Sequence, residues 1–246
     1  MSDAMTAETI RITGHGGDEI EAYLGRPLDP SPHGGIAVIH HMPGYDEATK
    51  AMVRNFAAAG YAALCPNLHY REAPGASAAD ASAAVRAAGG VPDERLVGDI
   101  AAAVNQLRSL PASNGKIGVI GHCSGGRQAF LAACSLTIDA AVDCYGAVVY
   151  DPPPGMPSAM RPIIGLAPRL SCPLLGLFGA EDSHPSPEET AALSAELQRL
   201  GKPHEFHTYD GAGHAFMAVD RPNYRPEAAV AGWKYIFDFF NRHLAT

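Results

Sequence analysis

The sequence is short of positive charge. Only 18 of its 246 residues are Lys or Arg, against 26 Asp and Glu, a formal net charge of −8. That balance suits neutral or hydrophobic small molecules better than nucleic acid or an anionic membrane surface. No uninterrupted apolar run approaches the roughly 18 residues of a membrane span. No basic segment followed by an apolar one opens the chain, so a cytoplasmic protein without a secretory leader is expected. Cys65, Cys123, Cys134, Cys144 and Cys172 form an odd, scattered set without a Cys-x-x-Cys pair. This speaks against a disulfide framework or a zinc site and leaves four of the five as small buried side chains in a reducing compartment. His40-His41 makes no metal site, because neighbours on a strand point to opposite faces and no third ligand is in view. No metal or cofactor is expected. Repeats and low-complexity linkers are absent too, so residues 1–246 read as one domain.

What is present is a core-forming composition, 47% hydrophobic and 18% charged, in which short β-rich runs alternate with helical ones. That alternation predicts an α/β fold with a mainly parallel central sheet and helices on both faces. Residues 8–13 and 19–24 read as an opening hairpin of edge strands. The run 35–40 is continuously apolar, as a strand covered on both faces requires. Further strands are predicted at 61–65, 116–121, 139–145, 173–179 and 205–209. Helices are predicted at 48–59, 76–90, 93–110, from about 124 to 133, at 187–200 and at 232–244. In the last, Trp233, Ile236, Phe237 and Phe240 have the spacing of a buried stripe. The stretch 149–168 carries Pro152, Pro153, Pro154, Pro157, Pro162 and Pro168. It can be neither a regular helix nor a central strand, and it reads as a lid or pocket wall, with a passive surface loop as the alternative.

The chemistry-bearing signal is Gly121-His122-Cys123-Ser124-Gly125-Gly126, which follows a strand and opens a helix. It is a nucleophile elbow, Gly-x-Ser-x-Gly, with cysteine in the serine position, and it marks the α/β-hydrolase fold. The flanking glycines are needed because the turn leaves no room for a Cβ. The elbow lifts the sulfur above the sheet beside the positive end of the next helix, which favours a thiolate. Acid and histidine should follow in that order. Glu181 and Asp182 end a strand; Asp182 is the better candidate and Glu181 the fallback. His214, in Gly213-His214-Ala215-Phe216, follows the last strand on a glycine-rich loop. The roles are then nucleophile for Cys123, proton carrier for His214, and tautomer control for Asp182. The developing oxyanion needs backbone N–H donors: Ser124 supplies one and Met42 is the choice for the second, since Pro43 has no N–H. His122 is expected to pack beside the nucleophile.

These residues resemble the dienelactone hydrolase (carboxymethylenebutenolidase) family over nearly the whole chain. Matching stretches are Gly60-Tyr61-Ala62-Ala63-Leu64-Cys65-Pro66, Ala73-Pro74-Gly75, the cysteine elbow, Tyr145-Gly146, the Asp182 region, Gly213-His214-Ala215-Phe216 and Arg221-Pro222-Asn223-Tyr224. The resemblance implies a cofactor-free Cys-His-Asp hydrolase of enol lactones or related activated esters, working through a thioester acyl-enzyme. Position 41 departs from it. The family's glutamate there, which helps to generate the thiolate, is replaced by His41, either an alternative base or a polar lining of the pocket. Of the two family arginines that hold a substrate carboxylate, Arg86 matches one, and Met217-Ala218-Val219 stands where the other falls. The clamp is incomplete, which argues against dienelactone itself as substrate. Tyr145 is the third expected pocket residue. Two other classes stay open: an acyltransferase or thioesterase with the same triad, and a non-catalytic ligand-binding protein. The first needs a basic cluster for coenzyme A phosphates, which the sequence lacks; the second leaves a complete triad unexplained. The expected partner is a small ester or lactone, and the expected state a monomer or small homo-oligomer.

Overall fold

The computed structural model describes residues 4–42, 44–152 and 156–245; Pro43, Pro153 and Pro154 lie outside the described residues. The chain builds β1 (Met5–Thr13), β2 (Glu19–Pro27), β3 (His33–Ile39), α1 (Glu47–Ala58), β4 (Ala62–Pro66), α2 (Ala78–Ala87), α3 (Asp93–Arg108), β5 (Ser113–His122), α4 (Ser124–Ser135), β6 (Ala140–Cys144), β7 (Leu174–Gly179), α5 (Pro187–Arg199), β8 (His204–Tyr209) and α6 (Pro226–Leu244). The strands form one sheet in the order β1-β2-β4-β3-β5-β6-β7-β8. β1 and β2 run antiparallel, β2 is antiparallel to β4, and every later pairing is parallel. The opening hairpin is therefore present, but only β1 is an edge. β2 is inserted beside β4 through Ala22–Gly25, opposite Ala63–Pro66.

Alternation along the central strands sorts their side chains into two cores. On β3, Ala37 and Ile39 face one side, shared with Val85 of α2, Leu96, Ile100 and Leu107 of α3, Phe130 of α4 and Leu193 of α5. Ile36 and Val38 face the other, covered by Val53 and Phe56 of α1 and by Ile236, Phe239 and Phe240 of α6. Phe56 is the hub of the second core, its ring 5.8, 5.6 and 5.9 Å from those of Trp233, Phe237 and Phe240. Burying a phenylalanine on this scale stabilises a fold by about 1.5–3 kcal/mol. α6 begins at Pro226, well before the predicted 232, because its first turn is mostly solvent-facing and shows no apolar period. Proline at the first helical position is the signal that marks this start.

The proline-rich stretch contains a short 3-10 helix, Ile164–Arg169. Ile163 and Ala167 are buried in the first core. The Arg127 side chain of α4 donates to the Arg161 carbonyl at 2.7 and 3.0 Å and pairs with Asp93 at 2.8 Å. The described part of this segment is thus tied to α4 and to the start of α3. Among the described residues no helix is long and apolar enough to cross a membrane.

Candidate active site

Sharp packing between β5 and α4 exposes the sulfur. Cys123 sits between them with φ 56° and ψ −122°, a left-handed backbone that costs a non-glycine residue about 1–3 kcal/mol. The tightness around it explains the glycine spacing. A Cβ on Gly121 would lie 2.0 Å from the Gly125 carbonyl oxygen, and one on Gly125 would lie 2.5 Å from that of Ile39. The Cys123 N–H is fixed on the Cys144 carbonyl at 2.9 Å. The thiol therefore stands at the first turn of α4, half-buried, while the other four cysteines are buried and unpaired.

The loop beyond β8 carries His214 to that sulfur. Its Nε2 is 3.0 Å from Cys123 Sγ, and its Nδ1 is 2.8 Å from Asp182 Oδ2. Asp182 follows β7 with its side chain 1% exposed, and its other oxygen accepts the His184 N–H at 2.9 Å. Glu181, the fallback acid, faces solvent. Burial opposes a charge on His214, but the bonds to Asp182 and Cys123 outweigh it and push the imidazole up to about 10. It is cationic at neutral pH. The loop is held by the Asn223 amide, which donates to the His214 carbonyl at 3.0 Å, and by the Arg225 N–H on the Phe216 carbonyl. Ala215 (φ 61°) and Tyr145 (φ 45°) join Cys123 as left-handed non-glycine residues. All three line one cavity.

That cavity measures about 470 Å³ and is lined by His41, Met42, His122, Cys123, Tyr145, His214, Ala215 and Ala218, with Asp220, Arg221, Pro222 and Asn223 from the loop ahead of α6. Tyr145 packs edge-on against His214, ring centroids 5.3 Å apart. His122 is buried beside Tyr145 and Trp233, and burial, with His41 nearby, lowers it to about 3. The backbone N–H groups of Met42 and Ser124 have no hydrogen-bond partner among the described residues. Both residues also border a small hollow, walled on one side by Pro157, Ala159 and Met160. The described residues of the proline-rich segment thus line that hollow and are not among those lining the cavity around Cys123.

Arg86 is not brought to this cavity; it is exposed on α2. His40 and His41 point apart. His40 is in the core, its Nε2 accepting the Leu68 N–H at 3.0 Å and its Nδ1 facing the His41 carbonyl at 3.0 Å. His41 reaches Asp46, Nε2 to Oδ2, at 3.0 Å. Asp46 and the 220–223 rim were missing from the sequence-based site. The available signals were the helix-capping pattern Asp46-Glu47-Ala48-Thr49 and the turn-forming Pro222-Asn223 pair.

A model of the dienelactone hydrolase family matches residues 20–244. The chain belongs to that family. Membership makes it a hydrolase of the ester and lactone class within the α/β-hydrolase superfamily. It is 30% identical over 241 residues to a carboxymethylenebutenolidase of Pseudomonas putida, covering 96% of each chain. It is 33% identical over 227 residues to a Methylorubrum extorquens protein provisionally named a carboxymethylenebutenolidase, covering 91% of this chain and 77% of that one. A Klebsiella pneumoniae crystal structure, provisionally named a dienelactone hydrolase, superposes with a TM-score of 0.86 at 25% identity over 98% of this chain and 100% of that one.

Proposed function

We propose that the chain acts as one domain that hydrolyses an activated ester or lactone, without a cofactor, through a Cys123-His214-Asp182 triad and a thioester acyl-enzyme. The observation that carries this is the unbroken line of contacts at 3.0 and 2.8 Å from sulfur to imidazole to buried carboxylate. Asp182 accepts a hydrogen bond from the Nδ1–H and stabilises the imidazolium, so Nε2 carries the proton taken from the thiol. The thiolate attacks the carbonyl carbon, and the developing oxyanion turns to the backbone N–H groups of Met42 and Ser124. Collapse of the adduct expels the leaving group and leaves the acyl chain on sulfur. Water then attacks the thioester, releasing the acid and regenerating the thiolate.

An activated leaving group follows from competition within the adduct. Thiolate is a good leaving group and returns in preference to an ordinary alkoxide. An enolate or aryloxide competes with it. The lining combines Met42, Ala215, Ala218 and Pro222 with His41, Tyr145, Asp220, Arg221 and Asn223, and its size suits an acyl group of modest bulk. The names of the relatives agree with a lactone or enol ester. The test is turnover of p-nitrophenyl and enol esters by the wild type and by Cys123→Ala, with circular dichroism as the control for folding. The variant should be inactive and folded; undiminished turnover would contradict the proposal.

A further inference from the structure

The cavity holds a second imidazole with a carboxylate partner, on the side away from Asp182 in sequence and in fold. His41 leaves β3 and Asp46 caps α1. Asp46 Oδ1 accepts the Thr49 N–H and hydroxyl, each at 2.9 Å, and Oδ2 faces His41 Nε2 at 3.0 Å. Burial opposes the charge on Asp46, but the bonds from His41 and Thr49 prevail and hold its carboxyl well below the usual range. An ionised carboxylate only accepts, so Nε2 carries the proton. Nδ1 has no partner among the described residues, and His41 lines the same cavity as Cys123. His122, the third histidine of the lining, is buried and has no such carboxylate among the described residues.

We propose that His41, oriented by Asp46, is the base that takes a proton from the water resolving the acyl-enzyme. This rests on the triad reading above and adds a division of labour to it. An enolate or aryloxide leaves as an anion and takes no proton from His214. His214 then stays protonated on the Asp182 carboxylate and cannot accept a proton from water. A second base in the same cavity removes that block. In the step itself, the water oxygen bonds to the thioester carbon while one water proton passes to His41 Nδ1. The C–S bond then breaks, its electron pair leaves on Cys123 as thiolate beside the His214 imidazolium, and the acid formed ionises to solvent. His41 returns its proton to solvent. The titratable and charged groups around His41 are Asp46 on the α1 cap, in contact with it, His40, its neighbour in sequence whose ring turns into the core, and, lining the same cavity, His122 and Cys123 of the elbow with His214, Asp220 and Arg221 from the loop beyond β8. Asp46 acts only as a positioning residue.

The test is stopped-flow hydrolysis of p-nitrophenyl acetate by the full chain, which separates the first p-nitrophenolate released from steady turnover. His41→Gln should keep the rapid release and slow the steady phase by roughly 10²- to 10⁴-fold, the usual contribution of a general base. Its acetyl-enzyme should accumulate and be detected by intact mass. Asp46→Asn keeps the helix cap and should slow the same phase by a smaller factor. Hydroxylamine, a nucleophile that needs no base at neutral pH, should restore turnover of His41→Gln. A steady phase equal to the wild type, or both phases slowed by one factor, would overturn the proposal while leaving the triad reading intact. Turnover by Cys123→Ala, with no rapid release in the wild type, would overturn both.

Discussion

Replacing Asp182 by asparagine removes one charge and leaves the shape of the site unchanged. Asp182 Oδ1 accepts the His184 backbone N–H at 2.9 Å and Oδ2 accepts from His214 Nδ1 at 2.8 Å. In the variant the backbone donor keeps the amide oxygen, so the NH₂ group turns to Nδ1. Nδ1 must then accept, and the ring proton moves to Nε2, 3.0 Å from the sulfur. His214 can no longer take the thiol proton. Loss of the charge-assisted hydrogen bond is worth about 1.5–3 kcal/mol. At 1.36 kcal/mol per decade that alone slows the reaction roughly 10- to 150-fold. Adding the wrong tautomer gives a total loss of about 10²–10⁴ in kcat/KM. A pH effect accompanies it. In the wild type the imidazolium persists until the pH rises through about 10, and without Asp182 it is lost at lower pH. The assay is kcat/KM for a p-nitrophenyl ester from pH 6 to 10, with thermal melting as the control. Near wild-type activity with an unmoved basic limb would refute the reasoning; Glu181→Gln, exposed at the next position, should change neither.

Two other perturbations probe the frame of the site. Gly125→Ala places a Cβ 2.5 Å from the Ile39 carbonyl oxygen and 3.0 Å from that of His40. The start of α4 must shift from β3, costing on the order of 1–3 kcal/mol in urea unfolding and a larger fraction of activity. Asp143 on β6 is fully buried, and burial lifts its carboxyl to about 8 from an ordinary 3.8, against the opposing Gly146 N–H. The folded chain keeps a proton that the unfolded chain gives up, so this contribution to stability is complete below pH 3.8 and lost as the pH rises to about 8. Asp143→Asn should therefore gain stability relative to the wild type between pH 5 and 8. Urea midpoints that differ by a constant amount across that range would contradict this.

Local chemistry made much of this molecule readable in advance. The elbow was legible because Gly121, Cys123 and Gly125 obey a steric rule that any strand-to-helix turn this tight imposes. The central strands were legible because 35–40 and 173–179 are apolar on both faces. The candidate acid could be narrowed to two neighbours, and the bend after Gly179 then buries Asp182 while Glu181 faces solvent. What escaped depends on long-range placement. Pairing of β2 with β4 joins residues about forty positions apart and leaves no mark in either strand alone. Arg86 has the right residue type for a carboxylate clamp, but the face of α2 that carries it is exposed. His41 and Asp46 meet because the chain turns back between β3 and α1, and the capping role of Asp46 hid its second contact.

Identification of the atom that carries the acyl group tests the account most directly. The wild-type protein, mixed with an activated ester and quenched in acid, would be analysed by intact mass and peptide mapping. The account predicts a single acyl adduct on Cys123, formed within one turnover and cleared by hydroxylamine at neutral pH. Continued turnover with no adduct, or an adduct on any residue other than Cys123, would contradict it.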